Sequence, residues 1–308
     1  MKKNNRFTVR TLLPVLLILI TITAISGCQQ ETIFSQIEDE TELEDAVIKG
    51  SVFSIVAFKD KIYATDGRIY AKAKNVLRGW AEVTSPSGNI IKLAANSTYL
   101  YALNSESELF YSDDAADWTE IDDWSGTLGS ITTIFSDNNG NAYVKGKAKG
   151  NDTESFFTLS EATIAATTAV TSHVVEAGNT ADSKTYTLDG SKKTVSDGTN
   201  TTTLDAEVYS LTYSPKADCL YAGTAAGVKK LTLKTDGTLT GSTADVPGSN
   251  VSSTLKSYET YAVYATKYTL DTTSYEAVYA TTVMTGSTYS KVNGLWGYYE
   301  SRGTWNRE

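Results

Sequence analysis

Two stretches, Ile62-Tyr63-Ala64-Thr65 and Trp80-Ala81-Glu82-Val83, return as Leu100-Tyr101-Ala102-Leu103 and Trp118-Thr119-Glu120-Ile121, each shifted by 38 residues. Two landmarks moving by one shift mark an internal repeat. The tyrosine landmark continues as Ala142-Tyr143-Val144, Thr185-Tyr186-Thr187, Leu220-Tyr221-Ala222 and Val278-Tyr279-Ala280-Thr281, at steps of 42, 43, 35 and 58 residues. An apolar run precedes each copy, at 52–58, 90–94, 130–135, 172–176, 209–213 and 261–267. The runs are rich in Tyr, Val, Ile and Thr, alternate with Asp/Asn/Gly/Ser turns, and sit in a chain with only four prolines. That texture predicts strands throughout, four to a unit.

Six copies over residues 49–308 give about 43 residues per unit, the size of a propeller blade. A four-stranded sheet has two faces to cover and cannot bury either alone. Blades stacked around an axis bury both, and closing the ring leaves only short edges. Linear β-solenoids use shorter coils without antiparallel hairpins. The expected fold is therefore all-β, a six-bladed β-propeller of four-stranded antiparallel blades. The 58-residue last step leaves room for a seventh, partial blade, or for a long hairpin in the last of six; six is the expectation.

With 41% hydrophobic and 20% charged residues, the 308-residue chain is too apolar for a disordered one. Its 27 basic and 36 acidic residues give a net charge of −9. Lys2, Lys3, Arg6 and Arg10 all precede Cys28, and no acidic residue does, so the chain beyond Gly27 carries 23 against 36, a net −13. Such a surface repels phosphate backbones, which excludes nucleic acid as a partner. One histidine and two cysteines leave too few ligands for a zinc site, and no cofactor is expected.

The first 28 residues run from a basic start through an apolar stretch, Leu12 to Ile25, to Ser26 and Gly27 ahead of Cys28. This is the pattern of a secretory signal, shorter than a stable membrane span of ~20 residues. Ile25-Ser26-Gly27-Cys28 resembles the lipobox of bacterial lipoproteins, in which the Cys thiol takes a diacylglycerol and the chain is cut just before it. Ile25 stands where enteric lipoproteins favour Leu, a looser box that spirochaetes accept. The resemblance implies a signal peptide over 1–27, a lipidated acidic tether over 28–48 and a propeller over 49–308, with Cys28 as the lipidation site and acyl chains such as palmitate as the anchor. Gln29 and Gln30 differ from the Asp that retains enteric lipoproteins on the inner membrane, which points to the outer membrane, leaflet open. The block Glu38-Asp39-Glu40-Thr41-Glu42-Leu43-Glu44-Asp45 repels itself and solvates. With Cys28 acylated, Cys219 stands alone, and Cys219-Leu220-Tyr221-Ala222 reads as a strand holding a small buried hydrophobe.

Within the second unit, Ser112-Asp113-Asp114-Ala115-Ala116-Asp117-Trp118 resembles a degenerate Asp-box of the sialidase-type propellers, with alanines where glycines are usual. The last unit repeats its spacing in Tyr298 and Trp305, seven apart as are Tyr111 and Trp118; the first retains Tyr70 and Trp80. In that family the box is structural: its Asp caps turn amides and its Trp packs between blade layers. Asp137-Asn138-Asn139-Gly140-Asn141 is similar to turns of several propeller families. A calcium loop is the sharper reading of its oxygens and an ordinary Asn-Gly hairpin the plainer one.

A sialidase needs an arginine triad at the ring centre. Arg68, Arg78, Arg302 and Arg307 are the arginines beyond Cys28, and the blade alignment puts all four on outer hairpins. Carboxylate pairs Asp113/Asp114 and Asp122/Asp123 are adjacent and face opposite ways on a strand, so they read as solvated turns. His173 lacks a nucleophile partner at recognisable spacing. No catalytic residue emerges, and the protein is expected not to be an enzyme. Tyr258, Tyr261, Tyr264, Tyr268, Tyr275, Tyr279, Tyr289, Tyr298 and Tyr299 crowd the last unit; blade packing accounts for most, and any exposed rings are contact residues for a protein or glycan. The expected function is a lipid-anchored envelope scaffold that binds a protein or glycan. An outer-membrane assembly accessory and a divergent sialidase-like glycan hydrolase are the alternatives.

Overall fold

The alternation of apolar and polar residues is realised, among the described residues, as 24 short strands in a computed structural model. It describes residues 46–308 other than 78, 123, 138–139, 169–176, 180–183, 190, 249–252 and 284–293. Blade 1 is β1 (Ser54–Phe58), β2 (Lys61–Thr65), β3 (Ile69–Ala73) and β4 (Ala81–Glu82). Blade 2 is β5 (Ile90–Ala95), β6 (Leu100–Asn104), β7 (Leu109–Ser112) and β8 (Thr119–Glu120). A one-turn helix, α1 (Trp124–Thr127), leads into blade 3, with β9 (Leu128–Ser136), β10 (Ala142–Ala148), β11 (Glu154–Ser160) and β12 (Thr163–Thr167). Blade 4 is β13 (Ala177–Asn179), β14 (Lys184–Leu188), β15 (Thr194–Ser196) and β16 (Thr201–Thr203), and blade 5 is β17 (Val208–Ser214), β18 (Cys219–Thr224), β19 (Gly227–Leu233) and β20 (Leu239–Ala244). After α2 (Ser253–Ser257), blade 6 is β21 (Val263–Leu270), β22 (Thr273–Thr282), β23 (Gly294–Tyr299) and β24 (Thr304–Arg307).

Each blade is a four-stranded antiparallel meander whose strands lie in chain order, and the six together form a β-propeller. The long last step is therefore no seventh blade. It holds α2 and a long β21/β22 hairpin paired from Val263↔Ala280 to Leu270↔Thr273.

The repeated tyrosine sits on the second strand of every blade. Tyr63, Tyr101, Tyr143, Tyr186, Tyr221 and Tyr279 are all less than 5% exposed, and each such burial contributes about 1.5–3 kcal/mol. Two of them bond across to the next blade: Tyr186 donates to the Gly237 carbonyl in blade 5 at 2.6 Å, and Tyr221 to Glu276 in blade 6 at 3.1 Å. Core clusters accordingly mix residues of successive blades, such as Leu93 with Phe58 and Tyr221 with Val278. Gly227 shows how tight this packing is. It turns the β18/β19 hairpin at φ +88°, and a Cβ there would stand 2.4 Å from the Leu255 carbonyl of the interblade connection.

The ring closes where blade 6 meets blade 1. Ile48, Val52, Ile62, Tyr70 and Trp80 pack with Tyr268, Tyr279, Leu295 and Tyr299, and the Ile48 amide donates to the Glu308 carbonyl at 3.2 Å. Under this seam lies the ammonium of Lys72, fully buried. It donates to Tyr299 Oη at 2.5 Å and to the Leu77 carbonyl at 3.0 Å, 3.9 Å from Glu308 Oε2. The Tyr279, Tyr299 and Trp80 rings lie 4.5, 4.8 and 5.6 Å from it.

The expected equivalence of blades 2 and 6 at their outer hairpins is corrected by register. Trp305 lies directly opposite Tyr298, whereas Tyr111 lies opposite Thr119, one residue beyond Trp118. A one-residue difference turns a side chain to the other face. Trp305 is consequently buried, its indole N–H donating to the Pro247 carbonyl at 2.7 Å. Trp118 is half-exposed and reaches back to blade 1, donating to the Thr84 carbonyl at 3.0 Å.

Candidate functional site

In a propeller the innermost strand of each blade faces the axis, so the residues that open these strands share one end of the central channel. Here β1, β5, β9, β17 and β21 line a cavity of about 580 Å³. A second chamber of about 260 Å³ adjoins it and shares Lys92, Thr133, Tyr209 and Tyr261 with it.

Three aromatic rings stand at this mouth. Tyr209 and Tyr261 stack with centroids 4.9 Å apart and planes 24° from parallel, and Phe53 tilts against Tyr261 at 5.8 Å. All three are partly exposed. Tyr261 donates to Glu259 Oε2 at 2.7 Å, and its hydroxyl is pushed up to about 12, first by burial and then by that carboxylate. Tyr209 is raised as well, by burial and then by Glu259 and Glu207. Both stay protonated at neutral pH, so they serve as faces and donors.

Beside the rings the Lys92 ammonium donates to the Phe53 carbonyl at 3.0 Å, and burial lowers its pKa. Lys145 and Lys192 complete the second chamber, paired with Glu154 at 2.6 Å and Glu207 at 2.9 Å. The wall is otherwise mostly apolar or hydroxyl-bearing, including Ile55, Ile134, Leu93, Thr133 and Ser54. Rings, a cation and a concave apolar wall can hold and orient a ligand. Among the described residues no group of three or more His, Cys, Asp or Glu side chains is placed to hold a metal.

The residues singled out from the sequence fall elsewhere. Asp113 and Asp114 are exposed in the β7/β8 turn, where Asp114 Oδ1 accepts from the amides of Ala116 and Asp117 at 2.8 and 3.0 Å and from Ser112 Oγ at 3.0 Å. These donors hold its carboxyl below the usual range. Ala115, within the turn, adopts φ +62°. Asp137 accepts from the Asn141 amide and from Tyr143 Oη, so its oxygens serve the hairpin. Arg68 lies in the β2/β3 turn and not, as expected, on the outer hairpin, though it reaches Glu82 of the outer strand β4 at 2.8 Å; Arg302 and Arg307 lie on the β23/β24 hairpin. Cys219 opens β18, 2% exposed, its thiol pushed up to about 12 by burial. Cys28, the acidic block 38–45, the run 172–176 with His173, Arg78, Asp123, Asn138, Asn139 and Tyr289 lie outside the described residues.

Of the last-unit tyrosines, Tyr268, Tyr279, Tyr298 and Tyr299 are buried in blade packing. Among the described members of the set, Tyr261 is the one that stacks at the channel mouth. Its partners Phe53, Tyr209 and Lys92 were not singled out; the available signal was their position, since Phe53 and Tyr209 stand at the opening of an inner strand and Lys92 lies within one.

Comparison with known proteins adds a family. The profile of the TP013X lipoprotein family matches residues 1–258. Two proteins of Treponema pallidum (strain Nichols), each described as an uncharacterized lipoprotein, are similar over shorter stretches. One is 30% identical over 95 residues, 30% of this chain and 25% of the relative; the other is 29% identical over 82 residues, 27% and 17%. The alignments thus cover at most a quarter of these relatives' lengths. Among solved structures, YCF48 from Cyanidioschyzon merolae aligns at a TM-score of 0.42 and 10% identity, covering 85% of this chain and 86% of that one. The WD40 β-propeller domain of Doa1 aligns at 0.42 and 13%, covering 84% and 82%.

Proposed function

We propose that this chain, which belongs to the TP013X lipoprotein family, is a lipid-anchored, non-enzymatic scaffold whose propeller holds a ligand at the mouth of its central channel. Its signal peptide, 1–27, is removed, Cys28 carries the acyl chains, and residues 28–48 tether the ring to the outer membrane. More than one acyl chain makes such anchoring stable, at ~0.8 kcal/mol per buried methylene.

The observation that carries the reading is the partly exposed Phe53–Tyr261–Tyr209 cluster over a cavity of about 580 Å³. Stacked rings left accessible at the rim of a concavity are contact residues. The degenerate Asp-box resemblance adds nothing catalytic, because Ser112 to Trp118 lie in an outer turn whose carboxylate is committed to its own backbone.

The test has two arms. Full-length protein is captured from cross-linked envelopes as wild type and as a Tyr209→Ala/Tyr261→Ala variant, with circular dichroism confirming that the variant folds. A partner retained by wild type and lost by the variant supports the mouth as the site; equal recovery by both refutes it. Separately, Cys28→Ser should leave the detergent-rich phase in phase separation, and unchanged partition ends the lipid-anchor reading.

A further inference from the structure

We infer that the channel mouth recognises a carboxylate of an acidic peptide segment in a protein partner, seating it on Lys92 with an adjoining apolar residue against the Phe53–Tyr261–Tyr209 cluster. The inference rests on the channel mouth being the binding site and goes further by naming what binds there.

Charge accounting on the channel wall points to an anion. Among the described residues three charged ones, Lys59, Lys92 and Asp137, line the main cavity. Lys59 donates to the Asp113 carbonyl, and Asp137 is taken up by Asn141 and Tyr143. Lys92 makes one hydrogen bond, to the Phe53 carbonyl, and no ion pair among the described residues. An ammonium has three N–H donors, and a partly buried one without a counter-ion is costly unless an anion completes it.

In the second chamber Lys145 and Lys192 are paired with Glu154 and Glu207, which leaves Lys92 as the lining cation without an ion pair among the described residues. An ammonium so placed attracts and orients an anionic group. Burial already lowers the Lys92 pKa, and a seated carboxylate reverses that penalty.

The wall chemistry selects a peptide over a sugar. Saccharide hydroxyls call for many free polar side chains, and the amide and carboxylate of the main wall, Asn96 and Asp137, are spent on their own turns. What remains is apolar surface, aromatic faces, a few hydroxyls and the Lys92 ammonium, which is set back from solvent whereas Lys59 is exposed. That set complements a Glu or Asp flanked by Leu, Ile or Phe.

The probe is an array of immobilised nonapeptides with a central Glu between Leu and Phe, each paired with its Gln counterpart, alongside neutral and uronic-acid oligosaccharides. Full-length protein in detergent is applied as wild type, Lys92→Met, Lys92→Arg and Tyr209→Ala/Tyr261→Ala. A charge-assisted contact predicts that wild type prefers Glu over Gln peptides by about tenfold or more. Lys92→Met should lose that preference while keeping residual binding, and Lys92→Arg should keep it. The double tyrosine variant should lose Glu and Gln peptides alike. A Glu preference unchanged in Lys92→Met, or binding to uronic-acid oligosaccharides and not to peptides, overturns this inference but leaves the mouth as the site if the tyrosine variant is impaired. Peptide binding indifferent to both tyrosines refutes the site itself.

Discussion

Raising the pH from 7 to 9 should stabilise the wild-type ring through Lys72, and Lys72→Met should abolish that gain. Lys72 has no exposed side-chain surface, and burial, only partly opposed by Glu308, lowers its pKa from an ordinary 10.5 to about 8. The unfolded chain therefore holds the proton more tightly than the native ring does. Stability is lowest below pH 8, where both states are charged, and rises until the unfolded lysine also loses its proton near 10.5. Integrating between pH 7 and 9 gives a gain on the order of 1–2 kcal/mol. The groups facing the ammonium do not obscure this window. Tyr279 and Tyr299 are driven well above their ordinary value by burial, and their hydroxyls stay neutral. Denaturant unfolding of full-length protein, followed by tryptophan fluorescence at pH 7, 8 and 9, gives the readout; Trp80, 5.6 Å from Lys72, reports on the seam. The quantity that matters is the wild type's pH dependence minus that of Lys72→Met, because the substitution also deletes the bonds to Tyr299 and Leu77. Parallel pH profiles for the two proteins would show that the ammonium is not held at a cost and would refute the seam as described.

Trp118→Ala should cost about 1–3 kcal/mol, less than a fully buried ring would, since Trp118 is half-exposed and loses one hydrogen bond to Thr84; Trp305→Ala should cost more, and thermal melts would rank them. Glu276 is 4% exposed, raised in pKa by burial, and accepts from Ser214 and Tyr221 of blade 5. A raised folded pKa gives stability that is complete at low pH and is lost as pH rises through it. Glu276→Gln, which stays neutral, should then melt at or above wild type at pH 7, whereas Glu276→Ala, leaving two buried hydroxyls unpaired, should fall by roughly 2–4 kcal/mol in calorimetry. Deleting residues 304–308 removes β24 and Trp305 and bares the edge of β23. Aggregation in light scattering is the expected outcome, and a monomeric, cooperatively folded truncation would contradict the ring closure.

Blade number, strand order and the buried tyrosines were legible in the chain, because a repeat of about 43 residues imposes one local pattern six times and a strand's period of two tells which residues are buried together. The lipobox-like Ile25-Ser26-Gly27-Cys28 is likewise a linear signal, read by position along the chain. The matches at Tyr63/Tyr101 and Trp80/Trp118 located two blades before any contact was known. They did not reveal that Trp118 and Trp305, at like spacing, face different surroundings, since that depends on a one-residue difference in pairing across the outer hairpins. The channel mouth was hidden for a stronger reason. Phe53, Lys92, Tyr209 and Tyr261 are spread over more than 200 positions and share no motif. The buried partnership of Lys72 with Tyr299, 227 residues away, is of the same kind. Local periodicity carries information only about residues on one strand or hairpin. Which inner strands converge on the axis, and which charges they bring together there, is decided only when the ring closes and brings blade 6 against blade 1.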